Sequence, residues 1–215
     1  MEWALLLEGT REDTLLKNAK VSKNITSAVV LLKGKENWVV DTGGPGFGED
    51  IKKALAKHNL LPEDINWVIN THLHLDHTFN NFLFQHAKII TPWSVWEPIG
   101  KKQVTIYGSF SKLPSFGEIK LIPTPGHSRR HFSVMVKSDG KNVVIAGDAI
   151  RESIIRGGKV QSYYSNVEDY LNSQRKIFEI ADIIIPGHGR VIEGKLLKEL
   201  KTLAEKMVNC VKGKE

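Results

Sequence analysis

Four metal-binding side chains stand within six positions, in the run His72-Leu73-His74-Leu75-Asp76-His77. A neutral imidazole offers a ring nitrogen to a divalent ion and a carboxylate adds charge compensation, so this cluster is typical of a metal site. In an extended chain His72 and His74 face the same way, whereas Asp76 and His77 diverge at the start of a helix and can serve a second ion. A purely structural role is disfavoured, because burying so much polarity without a partner is costly.

Further Gly, Asp and His residues follow short apolar runs that are typical of β-strands. The five turns in question are Asp41-Thr42-Gly43-Gly44, Thr71-His72, Gly126-His127, Gly147-Asp148 and Pro186-Gly187-His188. Strands that pack in one core bring several of their ends to a common edge, where loops can gather ligands on a rigid support. The pattern therefore predicts a single site at such an edge.

The elements that must position these turns alternate along the chain. Runs rich in Val and Ile predict nine strands, at 27–32, 38–41, 67–71, 88–91, 104–107, 119–123, 132–136, 143–146 and 182–185. Helical periodicity predicts helices at 48–58, around 78–84, at 167–180 and at 195–211, with Asn166 as a cap. No linker rich in Pro, Gly or Ser separates these elements, so we expect one α/β or α+β domain over residues 1–215.

The motifs resemble those of the metallo-beta-lactamase superfamily. Thr71 to His77 resembles its HxHxDH signature, and the four turns at Asp41, His127, Asp148 and His188 occur in that family's order, so the resemblance covers nearly the whole chain. It implies an α+β fold, the αββα sandwich, with a dinuclear metal centre. By position, it assigns the first metal to His72, His74 and His127, the second to Asp76, His77 and His188, and a bridging role to Asp148.

The resemblance also implies a mechanism. Two divalent ions lower the pKa of a bridging water, so that a metal-bound hydroxide is the nucleophile of a hydrolase at neutral pH. Asp76 is the expected catalytic residue, which orients the hydroxide and passes a proton to the leaving group. Asp41 is expected to accept a proton from a ligating His and so to fix its tautomer. Zinc is the first choice of metal because nitrogen ligands dominate, with iron or manganese as alternatives.

A more specific resemblance is to the hydrolases similar to metallo-beta-lactamase domain-containing protein 1. The shared features are the run 40–45, Asp76-His77 followed by Asn80 and by 83–84, and the run 146–148. Many members of the superfamily have Gly-Gly soon after the Asp-His pair, where this chain has Thr78-Phe79-Asn80. The departure leaves the metal ligands intact and concerns the substrate pocket.

The composition of the chain bears on its compartment, its source and the meaning of its charge. The 215 residues are 41% hydrophobic and include one cysteine, Cys210, so no internal disulfide can form. No apolar run reaches the roughly 20 residues that span a bilayer, and Met1 to Ala4 lack a basic signal region, so we expect a cytoplasmic protein. The many Lys, Glu and Ile residues favour a thermophilic source. The net charge of +6 is interpreted as solvated helix surface, because Lys and Glu are interleaved from Lys195 to the end.

Three functions compete for this site. The leading hypothesis is hydrolysis of a small-molecule substrate, an ester, thioester or lactone. The alternative is a metal-dependent phosphodiesterase or nuclease on RNA or DNA, favoured by the basic charge and by Arg129 and Arg130, whose guanidinium groups bind carboxylate or phosphate. A binding protein without chemistry is disfavoured, because a structural metal site is normally closed and mononuclear. Antibiotic hydrolysis is disfavoured because many dedicated lactam hydrolases have Cys or Ser where Asp148 stands.

Several residues lie outside these motifs. His131 is interpreted as a residue of the pocket, as one that supports the metal ligands, or as structural, and Tyr163 and Tyr164 as a pocket wall or as core packing. Aromatic residues flank the stretch 91–117, which is typical of a mobile lid or an oligomer contact, and we favour a homodimer contact. They are Trp93, Trp96, Phe110 and Phe116.

Overall fold

The computed structural model describes residues 1–17, 20–160 and 166–212. Its chain separates into a first unit, Met1–Leu113, and a second unit from Pro114 onward. The expectation of one domain over 1–215 stays a prediction. None of the described helices combines the length and the apolar content needed to cross a membrane.

The first unit contains nine strands and two α-helices among its described residues. The strands are β1 Glu2–Leu7, β2 Thr10–Leu15, β3 Lys20–Thr26, β4 Val29–Lys33, β5 Asn37–Val40, β6 Trp67–Ile69, β7 Lys88–Thr91, β8 Ser94–Trp96 and β9 Val104–Ile106. The helices are α1 Gly48–Ala56 and α2 Leu75–Thr78, with 3-10 turns at Pro62–Asp64, Phe79–Leu83 and Phe110–Lys112. Among the described residues, seven strands form one sheet in the order β1-β4-β5-β6-β7-β8-β9, while β2 pairs with β3.

Strands β5, β6 and β7 run parallel to one another in the middle of the seven-stranded sheet. Their apolar runs are continuous because parallel strands are covered on both faces. Trp38 of β5 lies opposite Trp67 of β6, and their rings stack with centroids 4.8 Å apart. Helix α1 buries Ile51 and Leu55 in the same core as Val29, Val39 and several further apolar side chains. The carboxyl ends of β5 and β6 therefore lie side by side on a rigid base.

The second unit contains five strands and three α-helices among its described residues. The strands are β10 Lys120–Pro123, β11 Phe132–Ser138, β12 Lys141–Gly147, β13 Ile183–Pro186 and β14 Ile192–Glu193, in this order across the sheet. The helices are α3 Glu152–Gly157, α4 Val167–Ile180 and α5 Gly194–Lys212. These helices bury Ile155, Tyr170 and Leu200 with Val144 and Ile184 of the sheet.

Three loops lie at one edge of the second sheet because the strands before them run in the same direction. Strand β12 is parallel to β13, whereas β11 is antiparallel to both β10 and β12. Strands β10, β12 and β13 thus point the same way, and their carboxyl ends lie at one edge. These ends lead to His127, Asp148 and His188, so within this unit the expected convergence of strand ends is confirmed.

The predicted elements agree with the structure to within a few residues at their ends. Helix α4 has the predicted bounds, and its cap Asn166 accepts a hydrogen bond from the backbone N–H of Asp169 at 2.9 Å. The helix expected around 78–84 is a short α-helix that begins at Leu75, followed by a 3-10 turn that is irregular at Asn80. The elements missed were β1, β2, β3, β8, β14 and α3.

Candidate metal centre

The ligand cluster of the first unit is organised around Asp41, the residue that follows β5. Its backbone is left-handed, with φ of 54°, and its N–H donates to the carbonyl of Ile69 at the end of β6. Such a backbone costs of order 1 kcal/mol for a residue other than glycine. The conformation directs the carboxylate of Asp41 towards the segment that carries the ligands.

The Asp41 carboxylate accepts three hydrogen bonds from that segment. Thr71 donates its backbone N–H to Oδ1 at 2.8 Å and its hydroxyl to Oδ2 at 2.9 Å. The Nδ1 atom of His77 lies 2.7 Å from Oδ2. A carboxylate is acceptor-only when ionised, so Nδ1 of His77 carries the proton and Nε2 is the ring atom that can bind a metal. The expected contact between Asp41 and a ligand-type His is present.

The tautomer of His72 follows from the same set of bonds. The single hydroxyl proton of Thr71 goes to Asp41, so Thr71 Oγ1 accepts from Nδ1 of His72, which lies 3.2 Å away. His72 thereby also presents Nε2 to a metal. That Nε2 lies 2.9 Å from Nδ1 of His74. Two nitrogen lone pairs would repel at this distance, so the contact requires a proton or a cation between the rings.

The remaining ligand-type side chains of the motif lie near these rings. Ligand atoms of His72 and His77 lie within 4.8 Å of each other, as do those of Asp76 and His77. His72 and His77 are fully buried, Asp76 is half-buried and His74 is exposed. The cluster is therefore buried at His72 and His77 and reaches solvent at His74.

Three asparagines hold α2 against the turn after β5, and sequence reasoning missed this function. The side-chain amide of Asn80 donates to the carbonyls of Thr42 at 2.7 Å and Gly44 at 2.9 Å. Asn70 and Asn81 bond to each other through their side-chain amides, and Asn70 also donates to the carbonyl of His77. The sequence had marked Asn80 as a feature shared with the more specific family and as part of a departure from Gly-Gly, without a structural role. Its amide supplies the hydrogen bonds that fix the helix carrying Asp76 and His77.

Asp148 and His188 follow two neighbouring parallel strands in the second unit. The backbone N–H of Gly187 donates to the carbonyl of Gly147 at 2.8 Å, which keeps the two turns together beyond the strand ends. Asp148 Oδ1 lies 3.4 Å from Nε2 of His188, and Asp148 Oδ2 lies 3.2 Å from Nε2 of His127. Each carboxylate oxygen thus faces a different imidazole.

His127 lies in the loop between β10 and β11, and helix α4 supports this loop. Gly126 has a φ of 127°, and a Cβ atom at this position would collide with the backbone of Tyr170 in α4. The Ser173 hydroxyl donates to the carbonyl of Pro125 at 2.7 Å. Because only glycine tolerates both the backbone angle and the close approach, Gly126 fixes the position of His127.

The residues present fit divalent metal ions. In the first unit the hydrogen bonds leave Nε2 of His72 and His77 as the ring atoms that could bind a metal, and in the second unit a buried carboxylate divides its oxygens between two imidazoles. Neutral imidazole and carboxylate are the donors that zinc, iron and manganese accept. Arg129 and Arg130 are exposed and His131 is buried. Tyr163 and Tyr164 lie outside the described residues, as does the side chain of Cys210.

Comparison with known proteins identifies the family. A model of the metallo-beta-lactamase superfamily matches residues 22–188, a range that includes every predicted metal ligand. The chain belongs to the metallo-beta-lactamase superfamily. It is accordingly a metallo-hydrolase with candidate metal-binding His and Asp groups. The membership of this superfamily that the motifs predicted is confirmed.

Two relatives illustrate the match within this superfamily. Metallo-beta-lactamase domain-containing protein 1 of Xenopus laevis is 30% identical over 183 residues, which is 81% of this chain and 77% of that protein. A protein of Methanocaldococcus jannaschii named "probable metallo-hydrolase" is 34% identical over 166 residues, 74% of each chain. The aligned regions span 58%, 57% and 61% of the mouse, human and rat proteins that share the name of the Xenopus protein.

A solved structure confirms the predicted α+β metallo-beta-lactamase fold. A Thermotoga maritima protein assigned to the metallo-beta-lactamases superimposes with a TM-score of 0.64 at 21% identity, covering 90% of this chain and 99% of that one. At this identity the likeness concerns the fold alone.

Proposed function

We propose that the protein hydrolyses a small ester, thioester or lactone with the help of two divalent metal ions. The observation that carries this proposal is the apolar surface interleaved with the ligands of the first unit. Leu73 is 45% exposed, Leu75 is 69% exposed and Phe79 is 44% exposed. We call these three residues the apolar rim.

The apolar rim favours an acyl substrate over a nucleic acid. Burying apolar surface of a ligand contributes about 25 cal/mol per Å², so exposed Leu and Phe side chains bind acyl or alkyl groups well. A nucleic acid would instead require cations that neutralise phosphates. The run from His72 to Leu83 contains no Lys or Arg. The HxHxDH segment itself therefore offers a substrate apolar side chains and no cationic one.

The proposed ligands are the seven residues predicted from the motifs, with zinc as the first choice and iron or manganese as alternatives. They are His72, His74, Asp76, His77, His127, Asp148 and His188. The family model spans all seven, and the fixed tautomers and the divided carboxylate of Asp148 support the assignment. When bound, the two ions supply a water of lowered pKa and a positive charge for the oxygen of the substrate.

The residues of the chain supply the rest of the chemistry. Asp76 is the second residue of helix α2, and its backbone carbonyl accepts a hydrogen bond from the Ser27 N–H at 2.8 Å. We assign to its carboxylate the proton that must reach the leaving group. Asp41 keeps the proton of His77 on Nδ1, so that this ring stays a neutral ligand through the reaction.

A phosphodiesterase or nuclease is the second candidate, because one observation favours it. Arg129 and Arg130 are both exposed in the loop that carries His127. Two adjacent guanidinium groups can bind phosphate oxygens through paired hydrogen bonds. They can also bind the carboxylate of a small acyl substrate, so a direct comparison of substrates is required.

The test is a panel of aryl esters, thioesters and lactones beside bis-p-nitrophenyl phosphate and single-stranded RNA, each at several salt concentrations. We expect metal-dependent acyl turnover with a weak salt dependence, because few charges are contacted. Arg129→Ala/Arg130→Ala should retain acyl turnover, whereas any RNA cleavage should weaken. A double variant of two exposed lysines in the same unit, Lys120→Ala/Lys141→Ala, controls for the change in net charge.

One result of this panel would favour the nuclease over the acyl hydrolase. Metal-dependent cleavage of RNA, with binding that falls by orders of magnitude as salt rises and with no acyl turnover, would replace this proposal by the nuclease.

A further inference from the structure

A buried hydrogen-bonded chain lies beside the His127 loop in the second unit. The Nδ1 atom of His131 lies 2.9 Å from Oγ1 of Thr124, and that oxygen lies 2.9 Å from Oγ of Ser133. The Ser133 hydroxyl continues to the backbone carbonyl of Ala146 at 3.1 Å. His131 is 3% exposed and both hydroxyl residues are fully buried. We call these three side chains the hydroxyl relay.

The direction of every bond in the hydroxyl relay follows from its last member. A carbonyl oxygen only accepts, so the single hydroxyl proton of Ser133 points to Ala146. Ser133 Oγ must then accept the hydroxyl proton of Thr124. Thr124 Oγ1 in turn accepts from His131, which therefore carries its proton on Nδ1. The bond pattern assigns a tautomer that the sequence alone leaves open.

The hydroxyl relay connects two segments that carry proposed metal ligands. Thr124 and His131 close the loop of His127, since the N–H of Thr124 also donates to the carbonyl of His131 at 3.1 Å. Ala146 begins the turn of Asp148, and its carbonyl accepts the N–H of Ala149 at 3.3 Å. The relay thus spans from the loop of one ligand to the turn of the other. Those two ligands meet at 3.2 Å, between Nε2 of His127 and Oδ2 of Asp148.

We propose that His131 is a positioning residue, which sets the spacing between His127 and Asp148 through the Nδ1 proton that it donates to Thr124. This inference rests on the proposed ligand roles of His127 and Asp148. The relay is buried and each hydroxyl has one defined donor and one defined acceptor, so it holds the two backbone segments in one arrangement. Outer residues that orient ligands in this way typically change metal affinity about 10–100-fold when they are removed.

The tautomer itself is tested by NMR of the zinc-loaded protein labelled with ¹⁵N-histidine. The His131 signals are assigned as those that disappear in His131→Asn. We expect the proton of His131 on Nδ1, with Nε2 bearing none. A proton found on Nε2 with Nδ1 bare would overturn the inference, whatever the role of His127 and Asp148.

The positioning role is tested by variants that keep or remove the donor. His131→Asn retains an N–H near the position of Nδ1, whereas His131→Leu removes it with a similar volume. We expect His131→Leu to weaken zinc binding about 10–100-fold and to alter the visible spectrum of the cobalt-substituted protein, with Asn recovering most of both changes. Thr124→Val and Thr124→Ser form a second pair with the same expectation. His86→Leu, at an exposed histidine, is the control.

Two outcomes separate this inference from the proposed function. Equal losses in His131→Leu and His131→Asn, or wild-type zinc affinity in both, would refute the positioning role. Unchanged zinc binding in His127→Ala would instead refute the proposed ligand set, while leaving the tautomer measurement valid.

Discussion

Each unit holds a buried histidine that is hydrogen-bonded through Nδ1, His77 in the first and His131 in the second, and the two units do so by different chemistry. In the first unit one ionised side chain, Asp41, accepts from Thr71 and His77 and through Thr71 fixes His72. In the second unit the hydroxyl relay of His131, Thr124 and Ser133 is uncharged and ends on a backbone carbonyl. The difference teaches that one carboxylate can orient several side chains at once, whereas hydroxyl groups distribute the hydrogen bonds over several residues.

The two arrangements should respond differently to the substitution of one residue. Hydrogen bonds to an ionised acceptor are roughly twice as strong as neutral ones, so the loss of Asp41 should exceed the loss of any single hydroxyl. Asp148 stands apart from both arrangements, because it contacts two imidazoles itself. The effects of substitution should therefore decrease from Asp148 to Asp41 and then to residues at the surface.

The largest effect is expected at Asp148. Asp148→Ala should lose more bound metal than Asp76→Ala, because a carboxylate shared by two imidazoles would serve both ions and Asp76 only one. The measurement is the metal content of each purified variant by elemental analysis. Equal metal content in the two variants would contradict the bridging role.

A smaller but still large effect is expected for Asp41→Asn. The substitution keeps the shape and tolerates the left-handed backbone, but its NH₂ group faces donors instead of accepting from them. We expect a loss of about 1–3 kcal/mol in the free energy of unfolding and a fall in zinc affinity of about 10–100-fold. Urea unfolding and zinc titration provide the two measurements.

Asp139→Asn is the matched control, since Asp139 is exposed and has a similar φ of 48°. An equal loss in the free energy of unfolding in both variants, with unchanged zinc affinity in both, would contradict the orienting role of Asp41.

The sequence was a better guide to the strand ends that carry the candidate ligands than to the hydrogen bonds that support them. The candidate His and Asp ligands are recognisable because their chemistry is rare and their spacing is local, and the apolar runs placed them at strand ends. The hydroxyl relay was not predictable, because Thr124 and Ser133 become partners only through the pairing of β10 with β11. Strands β2 and β3 were missed because they are mostly polar, as a pair outside the main sheet can be. Asn80 was recognised as unusual, but its acceptors at Thr42 and Gly44 are 38 and 36 residues away in sequence.

The smallest effect is expected at the ion pairs of Glu152. Arg190, two residues after His188, donates to this carboxylate through Nε and Nη2 at 3.2 and 3.0 Å, and Arg156 donates to it at 2.8 Å. Hydrogen bonding from Arg190 lowers the pKa of Glu152 below its usual value, against the opposing effect of burial. The folded pKa is thus below the unfolded one. The associated stability is present above the unfolded pKa and is lost as the pH falls through the folded one.

Glu152→Gln should therefore reduce stability near neutral pH by less than about 1 kcal/mol, because Arg190 is 59% exposed and solvent screens the pair. The difference from the parent protein should shrink in acid, below the usual glutamate pKa of about 4.3. Urea unfolding as a function of pH measures both effects. A difference that stays constant into acid would show that the pair does not contribute.

The central claim is that the histidines and carboxylates of both units bind metal ions. Elemental analysis of the wild-type protein after purification in metal-replete medium tests this most directly. The proposed ligand set predicts about two divalent ions per chain, removable by chelator together with the hydrolytic activity and restored by zinc, manganese or iron. A reproducible metal content near zero in correctly folded protein would contradict the account.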